Sequence, residues 1–180
     1  PEHVERAEIL REKGTNRSMF FRGQVDKYTW VDVGSSYVPS DVLAAFLFAQ
    51  LEHHERSQAR RKEIWQRYAQ LLGDWARANG VQLPCAPAHC APSYHLFHLV
   101  MPTADARDRL LAHLSEHNIG AVFHYLPLHL APMGRRFGGQ PGDCPVTESV
   151  SARMLRLPFY FELTAADQKR VAGAVHQFSA

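Results

Sequence analysis

The run Val42-Leu43-Ala44-Ala45-Phe46-Leu47-Phe48-Ala49-Gln50-Leu51 constrains this chain more than any other segment. Ser40 stands ahead of it as an N-cap, and Asp41 is the first helical residue. A helix with apolar side chains nearly all round needs cover on several sides, not along one stripe. The run is far shorter than the roughly 18 apolar residues of a membrane span, and no other stretch approaches that length. It therefore reads as a buried helix.

The remaining elements follow from period and punctuation. Val4, Ala7 and Leu10 share one face of a first helix, which ends near Lys13 with Gly14 as its cap. Thr15 to Pro39 shows no sustained period and reads as a long polar and aromatic loop, a length that usually marks function. A second helix, roughly Glu55 to Asn79, carries an apolar stripe of Ile64, Tyr68, Leu71, Leu72 and Trp75. Arg56, Arg60, Arg61 and Lys62 form its solvated face, and Gly80 stops it. Strands are expected at Val81–Leu83, His95–Met101 and Gly120–Tyr125. Helices are expected after Thr103, from about Pro145 to Leu155, and after Thr164, with a glycine-rich loop at Pro127–Pro145. Strands separated by helices suggest a small α+β layer domain over 79–180. The boundary is placed at the end of the long helix, so that 1–78 forms a separate region.

Composition narrows the class. The 180 residues are 46% hydrophobic and 21% charged, which is globular. A net charge of +2 is too small for a dedicated nucleic-acid binder. Cys85, Cys90 and Cys144 cannot close a disulfide framework among themselves, so they read as reduced thiols of a cytoplasmic protein. No signal peptide is visible. The chain opens at Pro1, without Met and almost at once in helical stride, and this reads as the edge of a fragment.

Four constellations can carry chemistry. Gly34-Ser35-Ser36-Tyr37, ahead of a helix N-terminus, is a phosphate seat or simply a turn with its cap. Arg22, Lys27 and Tyr28 lie within FFRGQVDKYTW, where basic and aromatic side chains suit a diphosphate and a base, or a partner surface. His124-Tyr125, leaving a strand toward His129, suits a polar ligand. Cys85, His89, Cys90, His95 and His98 have zinc-binding atoms without a zinc-binding spacing. His95 and His98, three apart on a strand, point to opposite faces, so no metal site is assigned. Nucleophile elbow, P-loop and dinucleotide fingerprint are all missing from the sequence.

The block AEILREKGTNRSMFFRGQVDKYTWVDVGSSYVPSDVLAAFLFAQLE, followed by AVFHYLPLH and LRLPFY, resembles the second half of a DegT/DnrJ/StrS sugar-nucleotide aminotransferase. The resemblance implies a fold-type-I pyridoxal-phosphate enzyme. Such an enzyme has a large domain around a seven-stranded, mostly parallel sheet and a small C-terminal α+β domain. This chain would hold the tail of the first, with an interdomain helix, and all of the second. It also implies a homodimer with shared active sites. The implied reaction moves an amino group from glutamate to the C4 ketone of dTDP-4-keto-6-deoxyglucose, in cell-surface polysaccharide synthesis. The lysine that carries the cofactor as a Schiff base lies, in that family, ahead of the matching segment. No catalytic residue is then expected here, and the chain alone is expected to be inactive. Many members have Gly-x-Asn-Tyr-Arg where this chain has Gly34-Ser35-Ser36-Tyr37-Val38, so Ser36 is implied at the cofactor phosphate without the arginine's charge. Lys27 is implied at the nucleotide diphosphate and His124 and Tyr125 at the sugar, and Tyr28 is taken as a further substrate-binding residue. Two other readings stay open on the residues: a stand-alone binding module, and a metal-dependent hydrolase using His124 and His129.

Overall fold

A computed structural model describes residues 3–179, and the chain divides into two units, Pro1–His54 and Glu55–Ala180. The first unit holds α1 (Val4–Arg11), α2 (Arg17–Phe21) and α3 (Asp41–Glu52). α1 stops where Lys13 and Gly14 both turn left-handed, at φ 63° and 76°. The Gly14 N–H then donates back to the Ile9 carbonyl at 2.8 Å. Gly14 thus closes the helix as expected, but it shares the turn with a lysine, for which this conformation is uncommon.

The long segment after Gly14 contains α2 and is otherwise irregular, so a loop without any helix was too simple an expectation. It is stitched down by polar contacts. Val31 and Asp32 N–H groups donate to the Gly14 carbonyl at 2.8 and 3.0 Å. Arg22 grips Glu8 with two hydrogen bonds of 2.8 and 2.7 Å, and Arg6 pairs with Asp32.

α3 forms where the sequence places it, with the Ser40 hydroxyl accepting from the Leu43 N–H at 3.4 Å. Its expected burial does not occur: every residue of α3 is exposed, with Val42 at 78% and Phe46 at 67%. The described residues offer this all-round apolar surface no cover, so the inference from composition to burial fails on this chain.

The second unit is built on α4 (His54–Ala78). Ile64, Tyr68, Leu72 and Trp75 of α4 lie in one hydrophobic cluster with Phe97, Leu110, Leu155 and Val175. The division between the two units falls after His54, the first residue of α4. Polar groups buried with the stripe find partners. The Tyr68 hydroxyl donates to the Pro158 carbonyl and the Trp75 indole to Phe178, both at 3.0 Å. Buried Gln168 donates to the Ile64 carbonyl at 2.8 Å and accepts from Arg67 at 3.0 Å.

The sheet has three short antiparallel strands, β1 (His98–Val100), β2 (Val122–Phe123) and β3 (Met154–Arg156), in the order β1-β3-β2. Its helices are α5 (Ala104–Glu116), α6 (Pro132–Arg136), α7 (Pro145–Arg153) and α8 (Ala165–His176). Thr103 caps α5, and Thr164 caps α8 through a full capping box with Asp167. Strand expectations were too generous. Val81–Leu83 contributes a lone bridge from Gln82 to Val100, and β1 covers three residues of the seven expected. α7 ends before Leu155 because that side chain enters the sheet fully buried. Among the described residues, no helix is long and apolar enough to cross a membrane.

Candidate functional site

In the first unit, the end of α1, the start of the irregular segment and the entry to α3 enclose a cavity of about 550 Å3. Ser36 and Tyr28 both line it, although they are eight positions apart in sequence. Their approach comes from the backbone. Leu10 and Arg11 carbonyls accept from the Ser35 and Tyr37 N–H groups at 2.9 and 3.2 Å, and Lys13 N–H donates to the Ser35 carbonyl at 3.1 Å. The Gly-Ser-Ser-Tyr turn is therefore pinned to the last turn of α1, which brings the Ser36 hydroxyl to the cavity.

Lys27 does not line this cavity. It is exposed and has no carboxylate partner among the described residues. Arg22, the other basic group of that segment, is committed to Glu8, which holds the Glu8 carboxyl below its usual range. The cationic lining comes instead from Arg11, Lys13 and Arg17, together with acidic Glu12 and Asp41. Sequence reasoning passed over Lys13 and Arg17 as ligand groups. The signal was present in Lys13-Gly14-Thr15-Asn16-Arg17, two cations flanking a glycine at a helix end.

In the second unit, His124 and Tyr125 line a separate cavity of about 470 Å3 at the end of β2. Its walls are largely apolar, from Leu126, Leu128, Val146 and Met154, with Thr147 and Ser151 as hydroxyls. The Ser151 hydroxyl donates to the Tyr125 carbonyl at 2.8 Å, fixing the strand exit to α7. The Arg156 guanidinium stacks 5.5 Å from the Tyr125 ring. His124 Nδ1, His98 Nδ1 and Arg156 Nε are buried without a partner, and burial lowers the His98 pKa, helped by neighbouring His124 and His95. A few polar groups on an apolar wall suit a ligand with one polar and one apolar face.

His129 is not beside His124 in this cavity. Its Nε2 meets Glu148 at 2.9 Å, and Glu148 also accepts from the Gly142 and Cys144 N–H groups. These contacts, the His129 bond first, lower the Glu148 pKa. His129 thus folds the glycine-rich loop onto α7. His95 lies outside β1 and pairs with Ser93 at 3.0 Å. Among the described residues, no three His, Cys, Asp or Glu side chains converge as a metal-holding group.

The profile of the DegT/DnrJ/EryC1/StrS aminotransferase family matches residues 1–176. An uncharacterized protein of Methanocaldococcus jannaschii, MJ1066, is 30% identical over 97% of this chain and 46% of its own length. The dTDP-3-amino-3,4,6-trideoxy-alpha-D-glucose transaminase of Streptomyces venezuelae is 28% identical over 99% of the chain and 44% of its own length. The crystal structure of S. venezuelae DesV in complex with a ketimine intermediate superposes with a TM-score of 0.81 at 29% identity, over 98% of this chain and 44% of that one. This chain spans about half the length of the relatives it matches, and it belongs to the DegT/DnrJ/EryC1/StrS aminotransferase family.

Proposed function

We propose that this chain is the C-terminal portion of a pyridoxal-phosphate-dependent aminotransferase that acts on a dTDP-keto-sugar. The substrate is dTDP-4-keto-6-deoxyglucose, the donor is glutamate, and the product is dTDP-4-amino-4,6-dideoxygalactose for cell-surface polysaccharide. The enzyme works in the cytoplasm as a homodimer with shared sites. The observation that carries this reading is the family match along nearly the whole chain. The meeting of Ser36 and Tyr28 on one cavity supports it.

The residues suit part of the cofactor's needs. Hydroxyl and cationic groups around the first cavity match the demands of a phosphate. All four lysines, Lys13, Lys27, Lys62 and Lys169, are exposed. The nucleophile toward the cofactor aldehyde is a lysine desolvated in a pocket, and none of the four is desolvated. Pyridoxal phosphate, when bound, supplies the electron sink that amino transfer requires. Ser36 donates to its phosphate, Tyr28 and Lys27 meet the nucleotide, and His124 and Tyr125 border the sugar. The uncovered α3 is the surface that the rest of the dimer buries.

The test is an assay of the protein encoded by the continuous reading frame around this segment, with glutamate, pyridoxal phosphate and dTDP-4-keto-6-deoxyglucose. Mass spectrometry and NMR should find an amino group at C4 with the galacto configuration. Amination at C3, or none, would reject the substrate. A start codon at Pro1 with no preceding aminotransferase half would favour the stand-alone module.

A further inference from the structure

His124 and Tyr125 reach the second cavity from a strand with little to hold it. β2 is two residues long and lies at the edge of the sheet, where Val122 and Phe123 pair with Arg156 and Leu155 of β3. Beyond Phe123 the chain leaves regular structure, and His124 and Tyr125 follow at once. Tyr125 is 72% exposed, so packing in the core does not fix it. Among the described residues, hydrogen bonds from two side chains hold this exit. The Ser151 hydroxyl donates to the Tyr125 carbonyl. Arg156 Nη2 donates to the Phe123 carbonyl at 3.3 Å, and its guanidinium carbon lies 5.5 Å from the Tyr125 ring centre. The Tyr125 ring in turn lies 5.5 Å from the His124 ring. Arg156, Tyr125 and His124 therefore form one stack, with the arginine at one end. Arg156 shares a strand face with Met154, which lines the cavity. Across the sheet it stands between His98 and Val122. It is half-buried there and makes no ion pair among the described residues. A cation in the central strand, beside a histidine and without a carboxylate, is not placed there for charge pairing.

We propose that Arg156 is a positioning residue for the second cavity: it fixes Tyr125, and through that ring His124, as the wall against which a sugar is held. The inference rests on the reading that His124 and Tyr125 border the sugar, and it adds a residue behind them. Arg156 does not itself line the cavity, so its effect passes through the two side chains it holds. A guanidinium suits the task because its flat face covers a ring while its edge donates hydrogen bonds. Without it, an exposed ring is free to turn and the Phe123 carbonyl is unpinned. The sugar then meets a wall that is ordered only on binding, and that ordering weakens ground state and transition state alike. The signature is a higher KM for the sugar with little change in kcat.

The experiment pairs two measurements. Amide hydrogen exchange of the purified protein, read by mass spectrometry, compares the parent with Arg156→Met, which keeps the length of the stem and removes the charge. Exchange in peptides over 122–128 should quicken about tenfold, the usual loss for one hydrogen bond to a charged group. Helices α5 and α8 should keep the parent's protection. In the complete aminotransferase, Arg156→Met should raise KM for the keto-sugar about tenfold, with kcat nearly intact and KM for glutamate unchanged. Arg156→Lys returns a cation to the ring without the guanidinium fork and should recover part of the loss. In a Tyr125→Leu background, Arg156→Met should add little further to KM, because the ring it acts through is gone. Unchanged exchange over 122–128 would overturn the inference and leave the sugar reading standing. So would a rise of both KM values together, which marks a general loss of order, not of position. If the parent enzyme does not aminate the keto-sugar, the reading beneath fails and this inference falls with it.

Discussion

Gly34 lies directly against the backbone of Gly14: a Cβ added at 34 would meet the Gly14 nitrogen at 2.1 Å and its Cα at 2.7 Å. Gly14 is itself confined from another side, since a Cβ there would meet the Asp32 carbonyl oxygen at 1.7 Å. The glycine that opens Gly-Ser-Ser-Tyr is thus required for packing the turn onto the end of α1, whatever the cavity binds. Gly34→Ala should destabilise the first unit by about 1 to 3 kcal/mol, the usual cost of overpacking without room to relax. Gly14→Ala should cost more, because φ is +76° there as well. Gly23, at φ +69° with nothing within 4 Å, has the backbone penalty alone, so Gly23→Ala should cost about 1 kcal/mol. Urea unfolding of the three variants checks this order. Equal losses at all three positions would mean that the close approach does not matter.

The second unit should lose stability in mild acid. Burial, with His124 and His95 nearby, depresses the folded-state pKa of His98, and Arg156 sits opposite it across the β1–β3 pair. The unfolded chain, with an ordinary histidine pKa near about 6.5, binds a proton that the folded form resists. The stability from this group is therefore present above that value and lost as pH falls below it, with a slope of up to about 1.4 kcal/mol per pH unit. Urea midpoints measured between pH 7.5 and 5 should fall, and His98→Gln should flatten the fall. An unchanged slope in His98→Gln would assign the acid sensitivity to another group.

Pyridoxal phosphate should form no unique covalent adduct on this chain. Lys13, Lys27, Lys62 and Lys169 are all exposed, and a unique adduct with the aldehyde needs an amine desolvated in a pocket. Borohydride reduction followed by peptide mapping should show scattered, substoichiometric labelling. One lysine labelled stoichiometrically would overturn this expectation and make that residue the first candidate for the cofactor site.

What the sequence revealed depended on range. Helices α3, α5 and α8 were legible because each begins at a side chain that caps its own backbone: Ser40, Thr103 and Thr164. The α4 stripe was legible because Ile64, Tyr68, Leu72 and Trp75 repeat at helical spacing. The sheet was not legible in detail. Strands of two or three residues are too short for a period, and their bounds are set by pairing with Leu155 and Arg156. Ser36, Tyr28, His124 and Tyr125 were singled out from motif and resemblance, and the structure sets them in two separate cavities. Lys13 escaped notice because a lysine at a helix end has an ordinary explanation in the helix dipole. Only the fold shows its backbone turned left-handed at the cavity edge.

The uncovered surface of α3 makes the last prediction. Val42, Leu43, Phe46, Leu47, Phe48 and Leu51 are each more than half exposed. Apolar area of this extent on one element marks a surface that another surface covers. In this chain alone those side chains contribute little to folding, since none of α3 is buried. Leu43→Lys with Phe46→Lys should therefore leave the unfolding midpoint of the isolated chain nearly unchanged. The same pair should reduce binding of the dye anilinonaphthalene sulfonate and reduce light scattering on concentration. In the complete aminotransferase, where α3 is proposed to be buried, two lysines would be forced under cover without partners. That change should cost several kcal/mol and prevent assembly, as desolvated and unpaired charges do. Gel filtration and activity of the complete protein would read the second half of the prediction. A complete enzyme that tolerates both lysines, with its assembly and activity intact, would show that α3 remains a free surface there too.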